Sequence, residues 1–270
     1  MNTMQRRTAA ALGLLASTTL WAQGQPVGGE QRTWFELQAF VPRLETHLQI
    51  DPAFSSGSGS DVEAESELGM PRTRAAAGFG FGRRIGERWR FEVDYLHLRR
   101  SGDAVLARNL QVGDTSYAAG SRVTSSTVFQ FARIVGGVSF VRSDTVEFGA
   151  VFGGALPRLR MDLRDNTSGS FATEWVAADA VPLLGLFFNS TVAPGWQVSG
   201  RVEGGSLDGS SFVNVSANVV WRVSPNIGLG AGLRLLKGHS QVDDLDLFSI
   251  NNKRFDYQLG GPQLFANFAF

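Results

Sequence analysis

The stretch that most restricts this chain runs from Ser211 to Leu236, where apolar and polar residues alternate for two full arms. On the first arm Val213, Val215, Ala217, Val219, Trp221 and Val223 alternate with Asn214, Ser216, Asn218, Val220 and Arg222. On the second, Ile227, Leu229, Ala231, Leu233 and Leu235 alternate with Gly228, Gly230, Gly232 and Arg234. A period of two is the signature of β-strands with one face in each of two environments. Ser224-Pro225-Asn226 supplies the turn between them. The hairpin alone leaves open whether its greasy face meets a protein core or lipid.

The same alternation recurs along the chain. Phe35, Leu37, Ala39 and Val41 oppose Trp34, Glu36, Gln38 and Phe40, and Pro42 marks a bend beyond which the pattern runs on toward Ile50. Ala75, Ala77, Phe79 and Phe81 oppose Ala76, Gly78, Gly80 and Gly82. Trp89, Phe91, Val93 and Tyr95 oppose Arg90, Glu92 and Asp94. Near Ala132 the apolar phase changes, which reads as a bulge or a register slip, and the last strand shows a similar slip. The reading predicts about ten strands, with eight or twelve left open. Their connections alternate between long stretches (51–72, 101–121, 164–179, 239–253) and tight turns. That asymmetry fits an up-and-down antiparallel β-barrel in a membrane, with short turns on one side and long loops on the other.

Two further patterns favour lipid over a soluble core. Phe81, Trp89, Phe140, Trp196, Trp221 and Phe270 all fall beside tight turns or at the C-terminus, as an interfacial girdle would. Glu36, Arg74, Glu92, Asp94, Glu147, Arg201, Glu203, Asn214, Asn218, Arg222 and Arg234 occupy the polar phase, where a soluble core would make so many ionisable groups very costly. A barrel lumen accepts them as paired charges or as the wall of a water-filled space.

Residues 1–22 read as a secretory signal peptide: Arg6-Arg7, an apolar run too short to span a bilayer as a helix, and Ala22. This leaves one domain over 23–270. Removing the segment, which carries two arginines and no acid, leaves two more acids than bases, so no charge excess points to nucleic acid. The chain has no cysteine, which excludes disulfide scaffolding and thiol or cysteine–zinc chemistry.

The end of the chain, Leu264-Phe265-Ala266-Asn267-Phe268-Ala269-Phe270, resembles the C-terminal signal of bacterial outer-membrane barrels. With the signal peptide, the whole mature length resembles the small bacterial outer-membrane β-barrels (OmpA-, OmpW- and Opa-like). The resemblance implies the outer membrane as location and barrel-assembly machinery as a partner through Phe270. It also implies contact with outer-membrane lipid and lipopolysaccharide, and a monomer. Ten-stranded barrels include proteases similar to the omptins, in which paired aspartates face an Asp-His pair. Here His239 precedes Asp243, Asp244 and Asp246, but no Asp-x-Asp opposes them. His97 and Ser101 lack the spacing and the partnered acid of lipid A deacylases. The acids of the first loop (Asp61, Glu63, Glu65, Glu67) follow no metal-ligand spacing. Gly78-Gly80-Gly82 and Gly228-Gly230-Gly232 lie within strands and lack the strand–loop–helix context of phosphate loops; their use is room for large opposite side chains. The expectation is a non-enzymatic surface or structural barrel without cofactor or metal, whose loops meet an extracellular partner. The alternatives are a narrow porin-like channel for small solutes and an outer-rim hydrolase.

Overall fold

The computed structural model describes residues 32–52, 58–177, 180–246 and 249–270. The signal-peptide segment lies outside them. Within them the chain is all β, and the wall closes into an antiparallel ten-strand barrel in up-and-down order.

β1 (Thr33–Phe40) and β2 (Arg43–Ile50) make one wall position, broken at Val41-Pro42 because proline has no N–H to give to the ladder. β3 (Asp61–Glu63) adds to β2. β4 (Ala76–Ile85) and β5 (Trp89–Val105) follow, then a small separate hairpin of β6 (Leu110–Val112) and β7 (Thr115–Tyr117). β8 (Arg122–Arg142) and β9 (Val146–Asp165) are long. β10 (Phe171–Ala177) and β11 (Val181–Ala193) pair in succession with β9. β12 (Trp196–Leu207), β13 (Ser210–Ser224), β14 (Ile227–Asp246) and β15 (Ser249–Ala269) complete the wall. β15 then pairs with β1, which closes the wall.

The tight turns gather at one end. Gly86 (φ 65°) and Gly195 (φ 75°) take the left-handed conformations that two of them need. Register shifts at Ser139/Val141, Thr191/Ala193 and Arg222/Ser224 sit beside these turns. At the other end, Asp208 (φ 45°) and Gly209 (φ 80°) form a two-residue hairpin turn with both φ positive, the geometry that matches strand twist. The expected loop at 239–253 is instead largely strand, because β14 and β15 stay paired from Ile227 to Asp246. Likewise, most of 164–179 is the β9–β10 pairing.

No slip occurs at Ala132. β5 and β8 stay in register from Arg122 to Val138, and β15 pairs continuously with β14. What changes is the environment on each side of the wall. Toward the tight turns β8 points Arg133 inward and Ile134 outward; farther up it points Phe129 and Phe131 inward and Gln130 and Ser126 outward. β9 and β14 do the same. Outward Leu233 and Leu235 on β14 give way to Lys237 and His239, and outward Leu156 on β9 to Arg158, Arg160 and Arg164. Thus the barrel has two halves: a lower one apolar outside and charged inside, and an upper one polar outside and apolar inside.

Candidate functional site: the barrel interior

In the lower half the inward side chains join into one ionic network. Arg84 Nη2 lies 2.8 Å from Glu147, and Arg90 bridges Glu147 at 3.9 Å and Glu92 at 2.6 Å. Arg133 is the hub: it pairs with Glu92 at 3.0 Å and also with Asp94 and Glu203. From β12, Arg201 reaches across the lumen to Glu92 at 2.6 Å and contacts Glu203 at 3.0 Å. Asn214 donates to Glu203 at 2.9 Å, and Arg234 donates to Asn214 at 3.0 Å. Buried charges persist only when opposite charges and hydrogen bonds offset desolvation, and here each carboxylate of the network has at least one cationic partner. The space left inside is a cavity of about 100 Å³, lined among others by Glu36, Asp94, Asn218 and Gln263. That volume holds a few water molecules.

Aromatic rings tile the remaining wall, and glycines make the tiles possible. A Cβ on Gly82 would stand 2.1 Å from the Trp34 ring, and one on Gly230 would stand 2.1 Å from the Phe265 ring. The Arg90 guanidinium stacks between Trp34 and Phe187, at 5.1 and 4.3 Å from the ring centroids.

The upper half is sealed differently. Phe129 on β8 meets Tyr257 and Phe255 on β15, with centroids 5.0 and 5.9 Å apart, and Phe131 meets Phe212 on β13 at 5.7 Å. None of these pairs are wall neighbours, so the contacts cross the lumen. Two external segments fold into the mouth above them. Val62, Ala64, Leu68 and Met70 enter from the segment before β4, and Leu110, Val112 and Tyr117 from the β6–β7 hairpin; all seven are buried in the same apolar cluster. The Tyr117 hydroxyl donates to the Leu163 carbonyl at 3.0 Å, and burial raises its pKa to about 12. Arg100 ties the first segment down: it pairs with Glu65 and donates to Thr46 Oγ1 at 2.5 Å and Thr127 Oγ1 at 3.2 Å.

The structure brings ten of the eleven residues expected in the lumen onto inward positions: Glu36, Glu92, Asp94, Glu147, Arg201, Glu203, Asn214, Asn218, Arg222 and Arg234. Arg74 is a correction. β4 begins only at Ala76, and Arg74 lies exposed in the bend before it, so strand parity does not apply there. Arg222 lies buried near the tight turns, and its three guanidinium nitrogens have no hydrogen-bond partner among the described residues. Phe81, Trp89, Phe140, Trp196, Trp221 and Phe270 are all exposed on the outer wall, and Trp196 stacks on Trp221 at 6.3 Å. The lumen set read from the sequence left out Arg90, although it shares the polar phase of Glu92 and Asp94, and it missed Arg84, the hub Arg133 and the apolar upper lumen. Opposed parity on β8 was the available signal for Arg133.

Of the remaining candidates, His97 stacks against Tyr95 at 6.5 Å on the outer wall. Among the described residues no His/Asp/Glu group is arranged to hold a metal ion. Among the described residues no helix is long and apolar enough to cross a membrane.

No family model and no curated protein matches the chain. Among solved structures it is similar to the outer membrane protease OmpT from Escherichia coli (8% identity, TM-score 0.48, 88% of this chain and 97% of that one). It is also similar to the transport unit of the autotransporter AIDA-I from Escherichia coli (7%, 0.42, 93% and 94%). A third likeness is to Ail, the attachment invasion locus protein of Yersinia pestis (9%, 0.30, 90% and 100%). At such identities and scores the likeness is one of strand arrangement. A closed wall, an apolar outer belt edged with aromatics, and tight turns gathered at one end give this chain the architecture of a β-barrel that spans a membrane with its strands.

Proposed function

We propose that the protein is a closed, non-conducting surface barrel that acts through its extracellular half, with no chemistry assigned to its lumen. The observation that carries this reading is the set of ring contacts across the upper lumen, Phe129 to Tyr257 above all, with two external segments folded in over them. A small ten-strand barrel is already near the size that side chains can fill. Here ion pairs occupy the lower half and apolar packing the upper. The upper outer wall carries Arg43, Arg99, Arg158, Arg160, Arg164 and Arg254, a charged surface suited to phosphorylated lipid headgroups and to external partners. Assembly through Phe270 and a monomeric state belong to the same proposal.

Single-channel recording in planar bilayers tests it. The wild-type protein is expected to give no reproducible conductance, before or after prolonged voltage. Stable conductance steps that change with Arg201→Ala would overturn the closed reading in favour of a narrow channel.

A further inference from the structure

On the upper outer wall the strand register sets Ser211 on β13 opposite His239 on β14, and His239 opposite Asp256 on β15. Directly opposed residues have Cβ atoms about 5 Å apart, so the three side chains stand in one row. Their neighbours Phe212 and Tyr257 are buried, which confirms that the row itself faces outward. His239 Nδ1 lies 2.6 Å from Asp256 Oδ1. That contact fixes the ring with its opposite edge, carrying Nε2, turned away from Asp256, and Nε2 has no hydrogen-bond partner among the described residues. The Ser211 hydroxyl likewise has no hydrogen-bond partner among the described residues. All three residues line a cavity of about 690 Å³, within the range of small-molecule sites. Lys237, Gln258 and Val213 line it one rung lower, next to the apolar belt that begins at Leu235. The concavity therefore runs from the membrane boundary up to a hydroxyl, an imidazole and a carboxylate in sequence.

We propose that Ser211, His239 and Asp256 act as nucleophile, base and orienting acid in hydrolysis of carboxylic esters of amphiphiles whose acyl chains lie in the outer leaflet. His239 Nε2 takes the Ser211 proton as Oγ bonds to the ester carbonyl carbon. The tetrahedral oxyanion then collapses, the bond to the alcohol oxygen breaks, and His239 returns the proton to that oxygen. Water attacks the acyl carbon next and gives its proton to the same nitrogen. Release of the fatty acid breaks the acyl–Oγ bond and restores the serine hydroxyl. Lys237 and Gln258 share the cavity and supply N–H donors for the oxyanion. Asp256 holds the tautomer that leaves Nε2 unprotonated. Since the site lies outside the wall, it works equally with a closed or an open lumen.

The test uses the full chain folded in detergent and in phosphatidylethanolamine–phosphatidylglycerol vesicles, with p-nitrophenyl laurate as substrate and a fluorophosphonate as covalent probe. The folded wild type is expected to hydrolyse the ester and to take up the probe at Ser211. Ser211→Ala is expected to lose both, and His239→Gln and Asp256→Asn to lower the rate by on the order of 10³-fold, while the heat-modifiable gel shift is retained. Absence of labelling and turnover in folded wild type would overturn the proposal, as would turnover that survives Ser211→Ala. Neither result bears on the conductance experiment, so the two readings fail separately.

Discussion

The two halves of this barrel belong to one closed wall, yet they solve opposite problems. In the lower half lipid outside accepts Leu233 and Phe152, and the lumen holds Arg133 between Glu92, Asp94 and Glu203. In the upper half water outside accepts Arg99 and Arg158, and the lumen packs Phe131, Leu159 and Phe255 as a soluble core would. A period of two therefore says which residues share a face and nothing about the medium that face meets. The medium is set by height along the strand.

The strongest way to break this comparison is to exchange chemistry across the boundary. Arg133→Leu leaves three carboxylates short of their shared partner and is expected to destabilise the barrel by about 3–5 kcal/mol. Adding Glu203→Gln to it removes one stranded charge and should recover part of that loss. Phe131→Ala, two residues away on the same face, is expected to cost a similar amount, about 3–5 kcal/mol, through a cavity. There the Glu203→Gln change should give no recovery. Urea midpoints in micelles, followed by the heat-modifiable gel band, check all four variants.

A smaller effect is expected on the outside. Leu233→Arg, in the middle of the belt, should cost about 2–4 kcal/mol in lipid vesicles. Arg99→Ser, on the exposed upper wall, should stay within about 0.5 kcal/mol of wild type. Equal costs at the two sites would place the membrane boundary elsewhere.

The aromatic tiling gives the next test. Gly82→Ala drives a methyl into the Trp34 ring and is expected to cost about 1–3 kcal/mol. Gly154→Ala, whose Cβ would come no closer than 3.8 Å to the Val181 carbonyl oxygen, should be close to neutral. Tryptophan fluorescence should shift only in the first variant.

The smallest effect concerns the turn above β9. The Thr167 amide donates to Asp165 at 2.7 Å and the Ser168 hydroxyl donates at 2.8 Å, and these bonds lower the Asp165 pKa from 3.8 to about 2. A depressed pKa means that this contribution is full above about pH 4 and is lost as pH falls toward 2. Amide exchange at Thr167–Gly169 should accelerate in that window, and Asp165→Asn should remove the pH dependence.

Much of this architecture is legible in the sequence, and the failures share a cause. Strand alternation, the tight turns at Gly86 and Gly195 and ten inward polar residues follow from period two and turn chemistry. The apparent slips at Ala132 and in the last strand arose from assuming that each face meets one medium throughout. Arg133 stands at the level where the two media exchange sides, so it was read as a break in pattern. The row of Ser211, His239 and Asp256 was hidden for another reason. Its members are far apart in the chain, and only the pairing of three strands puts them side by side.

One further consequence follows from the seam. Thr33 and Phe270 exchange backbone hydrogen bonds at 3.0 and 2.9 Å, so the first described strand is locked by the last residue. The contact that ends the wall thus spans nearly the whole chain, and loop closure over such a length is entropically costly and slow. Until it forms, β1 and β15 expose unpaired edges. The seam between β1 and β15 acts as a latch: the barrel acquires much of its stability only when that pairing forms.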